Sequence, residues 1–140
     1  MSMDSGPIVL TTDFSEAARR AYEPAAELAN TFGADVVLLH VHQTLTGPND
    51  DSDYAGDLKL AEEKLSDERS RLPEGVTVHP QAIAATQVPQ AVANFADTLG
   101  ARCIVVSTHG HAGLRHLIMG SDAEGIVRHA HVPVLSVPPR

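Results

Sequence analysis

The sequence predicts a doubly wound α/β domain, and three observations carry that prediction. Apolar runs short enough to be strands alternate with segments of helical periodicity from Pro7 to Val137. The connections between them are short, and parallel neighbours in a sheet need crossovers, which right-handed geometry lays as helices on the sheet faces. The run from Val36 to His42 is apolar almost throughout, as in a strand buried on both faces. The 140 residues suffice for one domain with a sizeable core, and no internal repeat or low-complexity tract divides residues 1–140.

Pro7-Ile-Val-Leu-Thr-Thr reads as the first strand, apolar and ending in polar residues. A helix follows, because Ala21, Ala25, Leu28, Ala29 and Phe32 recur at helical spacing and Gly33 marks the end. Pro24 inside that segment predicts a kink or a displaced start. Val36-Val-Leu-Leu-His-Val-His is the second strand, and its His40 and His42 read as facing packing or solvent. From Leu45 to Asp57 the chain is acidic and without an apolar period, which reads as a solvated loop. A charged helix is expected from about Leu58 to Leu72, then a third strand from Val76 to Ala84 whose Pro80 suits a sheet edge. Pro89 near a start, Val92, Phe95, Ala96 and Leu99 on one face, and Gly100 after them define the third helix. Cys103–Ser107 is the fourth strand, a helix from about Ser121 to Ala130 follows, and Val132-Pro-Val-Leu-Ser-Val is the fifth strand.

Composition removes several function classes. Lys and Arg number 10 against 18 Asp and Glu, and a net charge of −8 argues against binding the phosphate backbone of DNA or RNA. Cys103 is the only cysteine, so it makes no internal disulfide and reads as a buried, inert thiol. Met1-Ser-Met-Asp-Ser lacks the basic and apolar leader of a signal peptide, and no apolar run reaches the length of a membrane span. A cytoplasmic address without membrane insertion is the expectation.

The last third of the chain carries the chemistry. From Ile104 to Arg128 it reads as a strand, a glycine-bearing loop and a capped helix, and that order builds an anion site. Backbone N–H groups at the helix start have no partner of their own, and the helix dipole adds partial positive charge there. Gly110 and Gly120 let a phosphate approach the backbone closely and permit positive φ. An adenine nucleotide is the first ligand to consider. Plainer readings stand beside this one. Ser121 and Glu124 form an S-x-x-E capping box that satisfies the helix start without a ligand, and Asp122 adds a carboxylate where a phosphate would lie. Asp13 and Glu16 also have capping spacing, so Asp13 reads as a helix start as well. His109, His111 and His116 crowd one loop without the Cys or carboxylate partners usual at zinc, and read as polar lining near phosphate, with no metal site assigned. No catalytic residue is assigned either, because G-x-S-x-G, C-x-x-C and G-x4-G-K-[ST] are all absent. Without a P-loop lysine, slow ATP hydrolysis is the most that is expected.

Ile8-Val-Leu-Thr-Thr-Asp-Phe-Ser, Leu38-Leu-His-Val and the block from Gly110 to Val137 together resemble the universal stress protein family over almost the whole chain. The resemblance implies a five-stranded parallel sheet of order 3-2-1-4-5 with helices on both faces. It also implies a G-x2-G-x9-G-[ST] loop that holds ATP phosphates and ribose in the nucleotide-binding branch. Gly110 matches the second glycine, nine residues separate it from Gly120, and Ser121 matches the final position. Ser107 stands where the first glycine belongs, which implies weakened or shifted binding, although its hydroxyl is able to donate to ribose or phosphate. The resemblance further places Asp13, with the backbone around Thr11 and Thr12, at the adenosine end, and Val41 and Val106 around base and ribose. Strand order would then reverse between strands one and four, where Asp13 and Ser107 lie.

The resemblance thus implies an ATP-binding, nucleotide-responsive regulator, with Mg on the phosphates and a protein client that the sequence does not identify. The alternative keeps the fold and loses the ligand, leaving a dimeric partner-binding protein; adenylyl transfer or a slow ATPase ranks third. At the sheet edge, Val132–Val137 is expected to pair with its copy in a two-fold homodimer, with Pro133 tolerated there.

Overall fold

The computed structural model describes residues 6–44, 54–108 and 121–138. Its strands β1 (Ile8–Thr11), β2 (Val36–Gln43), β3 (Val78–Ala85), β4 (Cys103–Ser107) and β5 (Val134–Val137) form one sheet of order β3-β2-β1-β4-β5. All four pairings are parallel. Between the strands lie α1 (Glu16–Arg19), α2 (Tyr22–Phe32), α3 (Tyr54–Arg69), α4 (Val88–Leu99) and α5 (Ser121–His129).

Successive side chains of a strand point to opposite faces, so each strand feeds two cores. On one face Ile8, Leu10, Val36, Leu38 and Val105 pack against Ala25 and Ala29 of α2 and Ala61 and Leu65 of α3. On the other, Val9, Leu39, Val41, Ile104 and Val106 pack against Val92 and Ala96 of α4 and Ala123 and Ile126 of α5. The expected doubly wound architecture and strand order are what the structure shows. Gly33 and Gly100 end α2 and α4 in the left-handed region, at φ 65° and 73°, where a Cβ is costly. Pro80 sits on the edge strand β3, as expected.

Boundaries differ where tertiary contacts decide them. The expected first helix is two helices, and Pro24 lies in the first turn of α2, where a missing N–H costs no intrahelical bond. Phe32 does not join the core; it is 46% exposed, with the Arg102 guanidinium 4.3 Å from its ring centre. Helix α3 begins at Tyr54, so residues 54–57 of the expected acidic loop are helical, while residues 45–53 lie outside the described residues. Strand β5 starts at Val134; the Pro133 carbonyl accepts the Ile104 N–H at 2.9 Å but Pro133 itself is not in the strand. Cys103 is buried, and burial raises its thiol pKa, in keeping with an inert group. Among the described residues no helix is long and apolar enough to cross a membrane.

Candidate functional site

The register of the sheet makes a notch at its carboxyl end. Strand β1 makes its last pairing with β2 at Thr11 and Leu39, whereas β2 runs on beside β3 to Gln43. On the other side β4 continues past its last pairing with β1, at Leu10 and Val105, to reach Ser107. A cleft of about 360 Å³ opens above the end of β1, at the reversal of strand order between β1 and β4.

Thr11, Thr12 and Asp13 line it where β1 ends, His40 to Gln43 on the β2 side, and Val106, Ser107 and Thr108 on the β4 side. Val88 and Val92 of α4 and Asp122, Ala123 and Ile126 of α5 complete it. Seven residues singled out in the sequence, Thr11, Thr12, Asp13, Val41, Val106, Ser107 and Asp122, therefore line one cavity. His109, Gly110 and Gly120 lie outside the described residues, as do His111 and His116; Ser121 opens α5 and its side chain is likewise not described.

The turn leaving β1 is built by local hydrogen bonds. Asp13 Oδ1 accepts the Ser15 N–H at 3.0 Å, and Ser15 Oγ accepts the Ala18 N–H at 3.1 Å. Ser15, in extended backbone at φ −79° and ψ 161°, is thus the cap of α1, a correction to the reading of Asp13 as the helix start. Asp13 instead closes a side-chain turn just before it. Phe14 between them has φ 69°, an uncommon and strained conformation for a bulky residue. At α5, Glu124 turns Oε1 to Arg128 one turn further on, at 3.1 Å, and that oxygen serves an exposed ion pair.

Thr12 lines the cleft, but its groups are spent within the protein. Its N–H donates to the Leu39 carbonyl at 2.9 Å, and its own carbonyl accepts from His40 Nδ1 at 2.9 Å. Its hydroxyl bonds the Tyr22 hydroxyl at 2.7 Å and accepts the Phe14 N–H at 3.0 Å. Because a carbonyl only accepts, His40 carries its proton on Nδ1. Burial lowers the pKa of His40 and keeps the ring neutral, packed on Phe14 with ring centres 4.5 Å apart. His42 reaches Asp57 at 3.2 Å. Both histidines line the cleft as well as facing packing and solvent, a role that the sequence reading missed. The available signal was positional: they lie at the carboxyl end of β2, next to the reversal.

Ser107 differs from Thr12. It is 8% exposed, and its Oγ has no hydrogen-bond partner among the described residues. Val41, Val92, Val106, Ala123 and Ile126 give the cleft its apolar part, beside the polar Thr11, Asp13, His40 and His42. Such a cleft suits a flat apolar group with a few polar points at its rim. No Lys or Arg is among the described lining residues, and no cluster of three or more His, Cys, Asp or Glu able to hold a metal ion occurs among the described residues.

Comparison with known proteins agrees with this architecture. The profile of the Universal stress protein family matches residues 5–138. A universal stress protein of Methanocaldococcus jannaschii is 30% identical over 93% of this chain and 80% of its own length. A protein from the universal stress protein family from Burkholderia pseudomallei is 29% identical, with a TM-score of 0.73 over 99% of both chains. The universal stress protein from Archaeoglobus fulgidus in complex with dAMP is 26% identical, with a TM-score of 0.66 over 94% of this chain and 96% of that one. A match across nearly the whole chain, to a fold whose strand order the structure reproduces, means that this protein belongs to the universal stress protein family.

Proposed function

We propose that the cleft binds an adenine nucleotide and that the protein acts as a nucleotide-responsive regulator rather than an enzyme. The observation that carries this reading is the buried Ser107 hydroxyl, without a partner among the described residues, in a cleft of mixed polar and apolar lining at the reversal of strand order. An orphaned buried hydroxyl costs roughly 1–3 kcal/mol, so a ligand oxygen that satisfies it gains what the empty protein lacks. Val41, Val92, Val106 and Ile126 offer apolar surface to a base, and Asp13 stands at the rim for the ribose end. The solved relative in complex with dAMP supports the ligand class.

ATP is the nucleotide we favour, carrying Mg on its own phosphates, with Gly110, Gly120 and Ser121 assigned to those phosphates by their match to the G-x9-G-[ST] pattern and His109 as polar lining beside them. Asp122, exposed in the first turn of α5, sits beside them in sequence and tempers the affinity by its charge. The sequence carries no G-x4-G-K-[ST] lysine, which favours binding over rapid phosphoryl transfer. The buried, unpaired Cys103 fits a cytoplasmic setting. Client recognition falls to a homodimer joined through β5, whose outer edge has no strand partner among the described residues and whose Leu135 is 40% exposed.

Calorimetry and thermal-shift measurements with AMP, dAMP, ATP with and without Mg, and GTP test the reading. Adenine nucleotides are expected to release heat and raise the melting temperature, and GTP is not. No response to any adenine nucleotide overturns it in favour of a partner-binding protein without a nucleotide.

A further inference from the structure

Behind the cleft, on the face that carries α2 and α3, a line of hydrogen bonds runs from the rim to a buried carboxylate. The Glu68 side chain on α3 is 5% exposed and receives Arg19 Nε at 2.6 Å on Oε1 and Arg71 Nε at 3.3 Å on Oε2. Arg19 adds a second contact, Nη2 to Oε2 at 3.3 Å. Tyr22 donates its hydroxyl to Glu68 Oε1 at 2.8 Å. Tyr22 has one proton, and the carboxylate only accepts, so the phenol oxygen takes its bond from the Thr12 hydroxyl, 2.7 Å away. Thr12 Oγ1 in turn accepts the Phe14 N–H at 3.0 Å. Every donor therefore points the same way: Phe14 to Thr12 to Tyr22 to Glu68.

The line ends on the one residue of the turn that needs holding. Phe14 is at φ 69°, a conformation that persists only where its surroundings enforce it. Next to it, Asp13 and Thr12 line the cleft. We infer that Glu68 is a positioning residue for the cleft, acting through Tyr22 and Thr12 to hold the Thr12–Phe14 turn and so to set Asp13 at the rim before a ligand arrives. A buried ion pair adds little net stability over apolar side chains of the same volume, whereas an apolar side chain could not orient Tyr22 and Thr12. Burial works to raise the Glu68 pKa, but the bonds from Arg19 and Tyr22 bring it below the usual range; burial raises that of Tyr22. Both groups thus keep the protonation on which the direction of the line depends. The effect on a ligand rests on the nucleotide reading above; the effect on the turn does not.

Amide hydrogen exchange in the full-length protein separates the two. Tyr22→Phe keeps the ring and removes the link. The Phe14 amide is expected to exchange about tenfold faster, the equivalent of one hydrogen bond of ordinary net strength. The amides of Leu10 and Leu38 should keep wild-type rates once global stability is allowed for. Thr12→Val, which breaks the line one step earlier, should do the same, and serves if Tyr22→Phe does not fold. Arg71→Ala, which removes an outer partner of Glu68 but no link, should leave Phe14 unchanged. Affinity for dAMP should fall about tenfold in Tyr22→Phe and stay at the wild-type value in Arg71→Ala. Unchanged Phe14 exchange in the variants, or equal acceleration of the core amides, overturns the inference. Should wild-type protein bind no dAMP, the nucleotide reading falls, and the exchange comparison still decides the positioning role. Faster Phe14 exchange with undiminished dAMP affinity overturns the link from turn to ligand.

Discussion

Ser107 and Thr12 are both small hydroxyl residues on the wall of one cleft, yet the structure gives them opposite uses. The Thr12 hydroxyl is committed between Phe14 and Tyr22, and the Ser107 hydroxyl has no partner among the described residues. Ser107→Ala should therefore stabilise the empty protein by about 1 kcal/mol, since it removes a buried unsatisfied group, while weakening adenine nucleotide binding about tenfold. Urea unfolding and calorimetry on the same variant check both signs, and a variant that loses stability would mean the hydroxyl is satisfied by a bound water. His40 governs a second residue-scale expectation. Burial first, against the pull of its bond to Thr12, lowers its folded pKa. An unfolded histidine takes up a proton near pH 6.5, so below that value the unfolded chain binds more protons and stability falls with pH. The His40 contribution is complete above about pH 6.5 and is lost as the pH drops through the lower folded pKa. Unfolding midpoints at neutral and mildly acid pH should fall less steeply in His40→Gln than in the wild type.

At the scale of elements, the width of the cleft depends on how closely α4 approaches α5. A Cβ built on Gly125 would stand 2.6 Å from Pro89 Cβ and 2.7 Å from its Cγ, so the two helices meet over a bare backbone. Gly125→Ala gains up to about 1 kcal/mol of helix propensity but must push α4 away, an overpacking cost of about 1–3 kcal/mol. A lower melting temperature and weaker nucleotide binding are expected together, because Val88 and Val92 on one helix and Ala123 and Ile126 on the other line the cleft. A more stable variant would mean that the helices separate at no cost. The break between α1 and α2 belongs to the same scale. Ser15 caps the short helix, Pro24 lies in the first turn of the longer one, and the join delivers Arg19 and Tyr22 to Glu68.

For the whole molecule, the sheet has one edge at β3 and the other at β5. Pro80 blunts the first edge, since it offers no N–H to a further strand. The second presents Val134, Leu135, Ser136 and Val137, all at least partly exposed. If two copies pair these strands antiparallel about a two-fold axis, Leu135 is buried between them and the assembly closes without forming fibres. Light scattering should report a dimer, and Leu135→Lys should convert it to monomer; a dimer that survives the substitution places the interface on another surface.

Elements were legible in the sequence where a residue acts through its own chemistry or its own period. Cys103–Ser107 reads as a strand to the residue because all five side chains are buried, and Gly33 and Gly100 mark helix ends because positive φ is a property of glycine itself. Asp13, Val41, Val106 and Ser107 were legible as neighbours through the resemblance and Asp122 through its place at a helix start, and the fold brings them to one cleft. Tertiary structure alone decided which polar groups are spent. Glu68 reads as one more charge on a solvated helix, yet it is a buried anchor because Tyr22 and Arg19 reach it across 46 and 49 residues of chain. His40 meets Thr12 across 28 residues, and Ser15 takes the capping role that spacing gave to Asp13. The physical reason is range: propensity, periodicity and caps act within a few residues, whereas a hydrogen bond between distant segments exists only after packing has brought them within about 3 Å.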